Sequence, residues 1–313
     1  MIKLSIILPV YNEEENVPVI YEELKSVLDK INKNYEIIFI DDGSTDKTFE
    51  VLEKLHKKNP KVKIIKFRKN FGQSAALQAG FDNCRGEIVV SMDSDLQNNP
   101  RDIPKLIEKL DEGYDCVCGW RHKREDSFSK KVLSKIASLM RRPLIGTDLH
   151  DFGCTFRVYK KDCVKELELY GEMHRYIPPM LRWKGFRVSE MEVNHRKRLH
   201  GKTKYNCKRV MKGFVDMINV WFWQKYSQRP LHIFGGLGLV CSSTGFFVGF
   251  LAFYWRLFKG VDLSSTPLPL FAVFMVMIGI QFFISGLMAD ISIKNYYSSG
   301  KRKTYNIEKI LTS

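Results

Sequence analysis

The sequence is short of acidic side chains. Its 313 residues include 35 Asp and Glu against 50 Lys and Arg, which gives a formal net charge of +15. Such a surplus of positive charge indicates a partner rich in negative charge, namely a nucleic acid, an anionic lipid surface or a phosphorylated substrate. Composition alone does not choose among the three.

Paired cysteines and a secretory leader are also missing. The seven cysteines are scattered and none stands in a CxxC pair, so neither a zinc site nor a disulfide framework is indicated. The N-terminal run Lys3–Leu8 lacks the charged, apolar and small-residue layout of a signal peptide. We therefore expect reduced thiols in a domain that stays in the cytoplasm.

Charge is absent from two long stretches near the C-terminus. Leu231–Tyr254 carries none apart from any on His232, and Pro267–Ala289 carries none at all. A helix needs about 20 apolar residues to cross the hydrocarbon core of a bilayer, and both stretches reach that length. They predict two membrane-spanning helices. The alternative, two buried core helices, is disfavoured because uncharged runs of this length are rare in soluble cores.

The residues beside these stretches predict the topology. Lys225 and Arg229 precede the first span and basic residues follow the second, so both termini are expected on the cytoplasmic side of the inner (plasma) membrane. Residues 206–228 are expected to form an amphipathic helix in the membrane interface, the alternative being an ordinary helix packed on the soluble part. The predicted organisation is a cytoplasmic domain (1–205), this juxtamembrane helix (206–228), a transmembrane hairpin (229–292) and a basic cytoplasmic tail (293–313).

Short buried strands alternate with helices through the first third of the chain. The predicted strands are Ser5–Val10, Tyr35–Ile40, Val62–Phe67 and Ile88–Met92, and the helices between them include Val17–Ile31 and Thr48–Lys58. This alternation is typical of an α/β fold, a doubly wound and mostly parallel sheet with helices on both faces. Such sheets bind ligands at the carboxyl ends of their strands, where each of the following motifs falls.

Two carboxylates follow the fourth predicted strand, in the segment Ser91–Gln97. Asp93 and Asp95 are separated by one residue, so both can reach one divalent ion. Oxygen ligands suit Mg²⁺ or Mn²⁺, which keep open positions for phosphate oxygens. The segment therefore predicts a metal site that would hold a diphosphate. A solvated acidic turn is the alternative.

The loops after the first two strands carry further polar groups. The second strand leads into Asp41–Asp46, in which Gly43 permits a tight turn and Ser44 can cap the next helix. Capping accounts for Ser44 and Asp46 but not for two carboxylates at the strand end, where a carboxylate can accept hydrogen bonds from a ribose or a base. The first strand leads into Leu8–Glu14 at the same edge of the sheet.

Together these motifs resemble the inverting family 2 glycosyltransferases, which have the GT-A fold. The matching pieces follow one another over residues 4–107 as PVYNEEENV, DDGSTDKT, RKNFGQSAALQAGFDNCRGEIVVSMDSDLQ and NPRDIPKLI. Further on, HDFGCTFR, YGEMHRYIP, VNHR and GKTKY, followed by two spans, resemble the polyprenyl-phosphate glycosyltransferases. These are relatives of dolichol-phosphate mannose synthase and bactoprenol glucosyltransferase. The likeness covers residues 1–290.

The resemblance implies a role for several groups of residues. The residues implied to contact the nucleotide-sugar are Pro9, Tyr11, Glu13, Asp42, Asp93 and Gln97. Those implied to hold Mg²⁺ or Mn²⁺ are Asp93, Asp95 and Gln97, and those at the reacting centre are Asp95, Asp151 and Arg121. The candidates for the sugar side are Glu172, His174 and Arg175. For Asp151 the alternative is capping or pairing with a neighbouring Arg, and for Gln97 it is a polar position at a helix N-terminus.

The acceptor of this family is a lipid phosphate, whose own charge decides what its site needs. An anionic nucleophile needs cations that orient it against the anomeric carbon more than it needs a strong base. Besides Arg121, the candidates are Lys130, Ser134, Arg196, Arg198, Lys202 and Lys204. Lys130 and Ser134 would share a helix face. The family often has Arg where Lys130 stands, and Arg binds phosphate bidentately whereas Lys acts as a point charge.

The expected activity is the inverting transfer of a hexose from a nucleotide-sugar to polyprenyl (undecaprenyl) phosphate. The product would be a lipid-linked monosaccharide for cell-envelope glycosylation. UDP-glucose is the first choice of donor, with UDP-N-acetylglucosamine, UDP-galactose and GDP-mannose still open, and the family implies a homo-oligomer. Nucleic acid is not an expected partner, because the basic residues concentrate beside the spans, where they favour anionic lipid.

Two other functions compete with this one. A processive polysaccharide synthase shares the motifs of the first hundred residues, but such enzymes carry more spans and a Q-x-x-R-W motif. The nearest segment here, Met180–Trp183, lacks the Gln. The second is a non-enzymatic, basic, membrane-associated binding protein, in which the acidic loops would serve only as helix caps.

Overall fold

The computed structural model describes residues 2–31, 33–121, 149–151, 153–196, 222, 230–298 and 307–311. The chain divides into two compact units, residues 1–220 with 303–313 and residues 221–302. Apart from Phe222, the predicted juxtamembrane helix (206–228) lies outside the described residues.

The described part of the first unit contains an eight-stranded mixed sheet. Its strands are β1 Leu4–Val10, β2 Tyr35–Asp41, β3 Val62–Phe67, β4 Ile88–Ser91, β5 Cys116–Trp120, β6 Arg157–Lys160, β7 Val188–Glu192 and β8 Ile307–Leu311. Their order is β7-β5-β6-β4-β1-β2-β3-β8. The neighbours β4, β1, β2 and β3 run parallel, whereas β6 is antiparallel to both β4 and β5. The predicted α/β fold is confirmed, and the four predicted strands end within one residue of the observed bounds.

Helices cover both faces of this sheet. They are α1 Asn16–Leu28, α2 Thr48–Lys58, α3 Gln73–Asn83, α4 Ile103–Asp111, α5 Lys161–Lys165 and α6 Ile177–Trp183. Along β1 the side chains alternate between two cores, with Ile7 packed in the same cluster as Ala76 of α3. Ile6 and Leu8 lie in the other cluster with Val17 of α1. Because both faces are covered, β2 is buried at all seven positions and is apolar almost throughout.

An ion pair is buried near the starts of β2 and β3, away from the strand ends that carry the motifs. The Lys63 Nζ lies 2.5 Å from Oε2 of Glu36, and the two side chains are 6% and 2% exposed. The other oxygen of Glu36 accepts hydrogen bonds of 2.6 Å from Ser5 Oγ and from the backbone N–H of Arg85. The carboxylate is therefore compensated on both sides, as a buried charge must be.

Replacing Lys63 with methionine is expected to lower the midpoint of thermal unfolding by about 10 °C. Breaking a buried pair from one side costs about 3–5 kcal/mol, because the remaining charge, here Glu36, keeps its desolvation penalty without its partner. Unfolding of the detergent-purified chain would measure this. Lys3→Met is the control, since Lys3 and Glu87 are 3.5 Å apart and more than half exposed and exposed pairs contribute little. Equal losses in both variants would contradict the expectation.

The C-terminal residues add a strand that no sequence pattern indicated. Ile307–Leu311 pairs antiparallel with β3, with Ile64 opposite Leu311 and Ile65 opposite Ile310. Without it β3 would present a row of unpaired backbone groups at the sheet edge. The end of the segment predicted as a basic tail is therefore part of the sheet.

The described part of the second unit is a pair of long helices, α7 Pro230–Lys259 and α8 Leu268–Ser298. Both are long and apolar enough to cross a membrane, and they contain the predicted spans apart from Pro267. A Cβ added at Gly238 would lie 2.8 Å from the carbonyl oxygen of Gly279, so the two backbones approach as closely as in membrane helix pairs. Large side chains such as Phe246, which is 70% exposed, stand on the outside, as contact with lipid requires.

Candidate active site

Three loops meet at the carboxyl ends of the central strands. They follow β1, β2 and β4, and because β1 lies between the other two strands the loops are neighbours. The Ser94 hydroxyl donates to the carbonyl oxygen of Pro9 over 3.0 Å, which joins the third loop to the first. The backbone N–H of Asn12 donates to Ser44 Oγ over 3.0 Å, which joins the first loop to the second. The three motifs therefore share one edge of the sheet.

The first two loops brace each other further. The side-chain oxygen of Asn12 accepts a hydrogen bond of 2.8 Å from the Thr45 N–H, and Asn12 holds a left-handed backbone with φ of 57°. The Glu13 N–H donates to Thr48 Oγ1 at the start of α2 over 2.8 Å. Of the residues in this braced pair that are predicted to contact a nucleotide, Pro9, Tyr11 and Glu13 are partly exposed, whereas Asp42 is buried. The loops thus offer a fixed surface on which a flat ligand could lie.

Asp42 ties the second loop to the start of α3. Its two carboxylate oxygens accept hydrogen bonds from the backbone N–H groups of Phe71 and Gly72, over 2.7 and 2.9 Å. Burial raises the pKa of Asp42 to about 6, although these two bonds favour the charged form. The next residue, Gly43, has φ of +72°, and a Cβ there would lie 2.4 Å from the carbonyl carbon of Lys69. Only glycine lets the two segments approach this closely.

Asp93 and Asp95 place two carboxylates together after β4. Asp93 Oδ1 accepts a hydrogen bond of 2.7 Å from Gln73 Nε2, and Asp95 Oδ1 accepts one of 3.2 Å from the Gln97 N–H. Burial, and then the charge of Asp95, raise the pKa of Asp93 to about 6. Leu96 has φ of 62°, a conformation that costs a leucine free energy and is often held at functional sites.

This pair of carboxylates fits Mg²⁺ or Mn²⁺. Two like charges at one half-buried place repel each other, and a divalent cation bound to both would remove the repulsion. In the described parts of the chain no further His, Cys, Asp or Glu joins them to form a cluster of three, so most positions around such an ion would be open to phosphate oxygens and water. The side-chain nitrogen of Gln97 lies 3.4 Å from His195 Nε2, which leaves the amide oxygen as the possible ligand.

Arg121 and Asp151 form a bidentate ion pair. Arg121 Nε lies 2.6 Å from Oδ2 of Asp151, and Nη2 lies 3.0 Å from Oδ1. The side chains are 13% and 8% exposed, and the Gly153 N–H donates to Asp151 Oδ1 over 3.0 Å. The Arg121 charge opposes the rise in the pKa of Asp93, so the pair lies within electrostatic reach of the carboxylates. The pairing of Asp151 with an Arg is thus present. The partner, Arg121, is itself one of the residues predicted for the reacting centre.

The three residues predicted on the sugar side fall into two groups. Glu172 and Arg175 are partly exposed and lie 3.1 Å apart, Oε2 to Nη2. His174 is only 4% exposed; its N–H donates to Ser74 Oγ over 3.1 Å, and its Nδ1 lies 2.9 Å from the same oxygen. His174 therefore fastens this segment to α3, and its predicted place on the sugar side stays a prediction.

Among the candidates for the acceptor phosphate, Arg196 has other partners. Its Nη1 donates to Oε1 of Glu23 over 2.8 Å, and its Nη2 donates to Asn99 Oδ1 over 2.7 Å. Because its guanidinium already has these partners, the geometry does not support the predicted contact of Arg196 with a phosphate. The remaining candidates lie outside the described residues: Lys130, Ser134, Arg198, Lys202 and Lys204.

A cluster beside Asp151 was not indicated by any motif. The His150 N–H donates to Glu190 Oε2 over 2.8 Å, and its ring Nδ1 also contacts the Glu190 carboxylate. The ring stacks on Trp120 at the end of β5, with centroids 4.5 Å apart and planes inclined by 19°. The imidazole is 53% exposed. The position of His150 next to Asp151 was the one available signal, because Glu190 approaches only through the folding of β7 beside β5.

Two of the most similar curated proteins act on polyprenyl phosphates by name. A family model described as "Glycosyl transferase family 2" matches residues 5–168. The dodecaprenyl-phosphate galacturonate synthase of Rhizobium johnstonii is 32% identical over 314 residues, which cover 99% of this chain and 93% of that one. The undecaprenyl-phosphate 4-deoxy-4-formamido-L-arabinose transferase of Pectobacterium atrosepticum is 33% identical over 313 residues, which cover 99% and 94%.

Solved structures share the fold at low identity. The glucosyl-3-phosphoglycerate synthase of Mycobacterium tuberculosis, in complex with Mn²⁺, UDP and phosphoglyceric acid, superposes with a TM-score of 0.56 at 17% identity. The match covers 70% of this chain and 78% of that one. Its complex with Mn²⁺ and UDP-glucose gives a TM-score of 0.54 at 18% identity. Identity at this level supports a common fold and nothing finer.

Proposed function

The chain belongs to glycosyl transferase family 2, among the polyprenyl-phosphate glycosyltransferases, and on that premise we propose that it transfers one sugar from a nucleotide-sugar to a polyprenyl phosphate. The observation that carries the proposal is the carboxylate pair Asp93–Asp95 at the carboxyl edge of the sheet, braced against the loops after β1 and β2. The paired helices α7 and α8 support the lipid acceptor, since they are long and apolar enough to enter a membrane.

The donor would lie across the three braced loops. The partly exposed Tyr11 and Glu13, with the Asp42 carboxylate behind them, would face the nucleoside, and Asp93 and Asp95 would face the diphosphate. Mg²⁺ or Mn²⁺ on these carboxylates and the Gln97 oxygen would neutralise the charge that builds up on the departing diphosphate. A neighbour that shares the fold was crystallised with Mn²⁺ and UDP, so this metal and a uridine nucleotide are the ones to test first.

The acceptor phosphate would attack the anomeric carbon directly. A bond forms between a phosphate oxygen and that carbon while the bond from the carbon to the diphosphate oxygen breaks, which inverts the configuration. Because the acceptor is already anionic, the site must orient it rather than deprotonate it. Asp151 takes two N–H groups of Arg121 and fixes the plane of the guanidinium. The remaining donors of Arg121 could then bind an anionic oxygen.

The helices α7 and α8 would span the inner (plasma) membrane as a hairpin. Residues 1–205 would lie in the cytoplasm and residues 206–228 in the membrane interface. Membership of this family also favours a homo-oligomer. Protease protection in inside-out vesicles would test the orientation, with cleavage of the large domain expected on the cytoplasmic side.

UDP-glucose is the donor that we propose first. A structural neighbour of the same fold has been crystallised with it. The curated relatives act on other sugars, galacturonate and 4-deoxy-4-formamido-L-arabinose, and these are therefore the main alternatives.

A panel of donors tests the proposed function. The detergent-purified full chain would be incubated with undecaprenyl phosphate and, in turn, UDP-glucose, UDP-N-acetylglucosamine, UDP-galactose, GDP-mannose and the UDP-linked sugars of the two relatives, with Mn²⁺ or with EDTA. One lipid-linked monosaccharide, formed only with metal, is the expected product by mass spectrometry. Products with several sugars would favour a processive synthase. Donor or lipid binding without any lipid-linked sugar would favour the binding protein.

The raised pKa of Asp42 predicts a pH-dependent donor KM. Below about pH 6 the buried carboxyl is protonated and loses the charge with which it accepts its hydrogen bonds, so KM is expected to rise about tenfold per pH unit. Since the folded pKa lies above the usual value near 4, the protonated form favours the fold, and that contribution is lost as pH rises through about 6. Profiles of kcat/KM at saturating Mn²⁺, which keeps Asp93 ionised, would measure the effect. The same inflection in Asp42→Asn would contradict it.

A further inference from the structure

The start of α3 is held from two sides. Asp42 accepts hydrogen bonds from the N–H groups of Phe71 and Gly72. On the other side Ser74 Oγ is bonded to the backbone and ring of His174, which is buried. The residues just before and just after Gln73 are therefore fixed by separate parts of the fold.

Gln73 extends from this fixed point to the carboxylate pair. It is the first residue of α3, and its Nε2 donates to Asp93 Oδ1 over 2.7 Å. Binding one oxygen fixes the plane of the carboxylate, and with it the direction in which the second oxygen is presented. Asp93 and Asp95 repel each other, and the Gln73 contact, together with the Thr155 side chain that also bonds Asp93, opposes a turn of the Asp93 carboxylate away from its neighbour.

We propose that Gln73 is a positioning residue, which orients the Asp93 carboxylate for a divalent cation. The inference rests on the proposed function, since it needs the Asp93–Asp95 pair to be the metal site. Groups that hold metal ligands in place typically change metal affinity about 10–100-fold when they are removed. The side-chain amide of Gln73 suits this role. Its NH2 group donates to the carboxylate and, being a donor only, does not compete with the carboxylate for the cation.

The same contacts connect the nucleotide side of the site to the metal side. Asp42 accepts a hydrogen bond from Gly72, Gly72 immediately precedes the first residue of α3, Gln73, and Gln73 donates to Asp93. A nucleoside bound against Asp42 would therefore stiffen the segment that orients the metal ligand. This predicts that bound UDP raises the affinity of the protein for Mn²⁺ by more than the metal ligands on its phosphates explain. The extra gain in affinity is expected to depend on Gln73.

Gln73→Met tests the role, because methionine keeps the length of the side chain and removes the donor. Binding of Mn²⁺ to the purified full chain would be measured by electron paramagnetic resonance, with and without UDP, and therefore without turnover. We expect the Kd for Mn²⁺ to rise about tenfold, the UDP effect to shrink, and the midpoint of thermal unfolding to stay within about 2 °C. Gln73→Asn, which keeps the amide but shortens its reach, is expected to behave in the same way.

Gln78→Met is the matched control on the same helix. Gln78 Nε2 also donates to an aspartate, Asp82 Oδ1, over 3.0 Å, and its Oε1 accepts a hydrogen bond of 2.8 Å from the Leu169 N–H; neither partner belongs to the carboxylate pair. Wild-type Mn²⁺ affinity is expected in this control. Wild-type affinity in Gln73→Met, or an equal loss in Gln78→Met, would overturn the role of Gln73 and leave the transferase proposal intact. If the wild-type chain with UDP bound no Mn²⁺, both proposals would fail together.

Discussion

Replacing Asp95 with asparagine is expected to lower kcat for sugar transfer about a thousandfold. The substitution keeps the shape of the side chain and removes one of the two charges that would hold the metal against the departing diphosphate. Loss of this electrostatic stabilisation acts on the transition state, so kcat should fall more than KM rises. Initial rates over a range of donor and Mn²⁺ concentrations would measure both, and the Kd for Mn²⁺ is expected to increase in parallel.

The stability of the same variant separates a catalytic role from a structural one. The charge of Asp95 contributes to the raised pKa of Asp93, so it destabilises the folded protein when no metal is bound. Asp95→Asn should therefore unfold at the same temperature as the wild type or slightly higher, as is common for residues kept for function. Asp82→Asn is the control for the substitution itself, since Asp82 accepts a hydrogen bond from the Gln78 side chain on α3 and has no part in the carboxylate pair. Full transferase activity in Asp95→Asn would contradict the proposed metal site on this carboxylate pair.

Patterns within short segments of the sequence predicted the elements whose structure depends on those segments alone. The strands β1 to β4 are short apolar runs bounded by polar turns, and their ends could be placed because burial on both faces leaves little room for a polar residue. Parallel pairing then required the motifs after these strands to lie at one edge. The helices α7 and α8 could be predicted just as directly from their uncharged runs, since length and composition define a possible membrane span.

Long-range contacts could not be predicted in this way. β8 joins the sheet next to β3 although some 240 residues separate them, and nothing in its own five residues specifies that neighbour. Arg196 has the charge expected of a phosphate ligand, but the fold brings Glu23 and Asn99 to it. The type of a side chain limits what it can bind, whereas its partners are decided by tertiary structure.

The same distinction applies within the site. Asp42, Asp93 and Asp95 could be proposed from the sequence because helix capping does not account for carboxylates at the strand ends. Gln73 could not, since a glutamine on a helix is usually an exposed residue, and its contact with Asp93 exists only because the fold brings the start of α3 to the loop after β4. Residues that position others are therefore harder to find from a sequence than the residues they position.

Substitution of Arg121 by lysine is expected to lower kcat/KM about a hundredfold while the charge stays in place. Arg121 binds both oxygens of Asp151, and lysine, a point charge, cannot reproduce that fork or present further donors in a fixed plane. The expected loss corresponds to about 2.7 kcal/mol of transition-state stabilisation. Steady-state kinetics with polyprenyl phosphate as the varied substrate would show whether the loss falls on the acceptor, as the proposed mechanism requires.

With Asp151→Asn and the double variant Arg121→Lys/Asp151→Asn, a double-mutant cycle measures the coupling between the two residues. If the pair only holds the fold, removing one partner should lower the unfolding temperature, and activity should change no more than stability does. If Asp151 serves to hold Arg121 against an anionic oxygen, each single variant should lose most of the activity and the double variant little more, because both disturb one unit. Additive losses of activity, with losses of stability to match, would reduce the pair to a buried structural contact. Non-additive losses in a protein that stays folded would instead place Arg121 in the acceptor site.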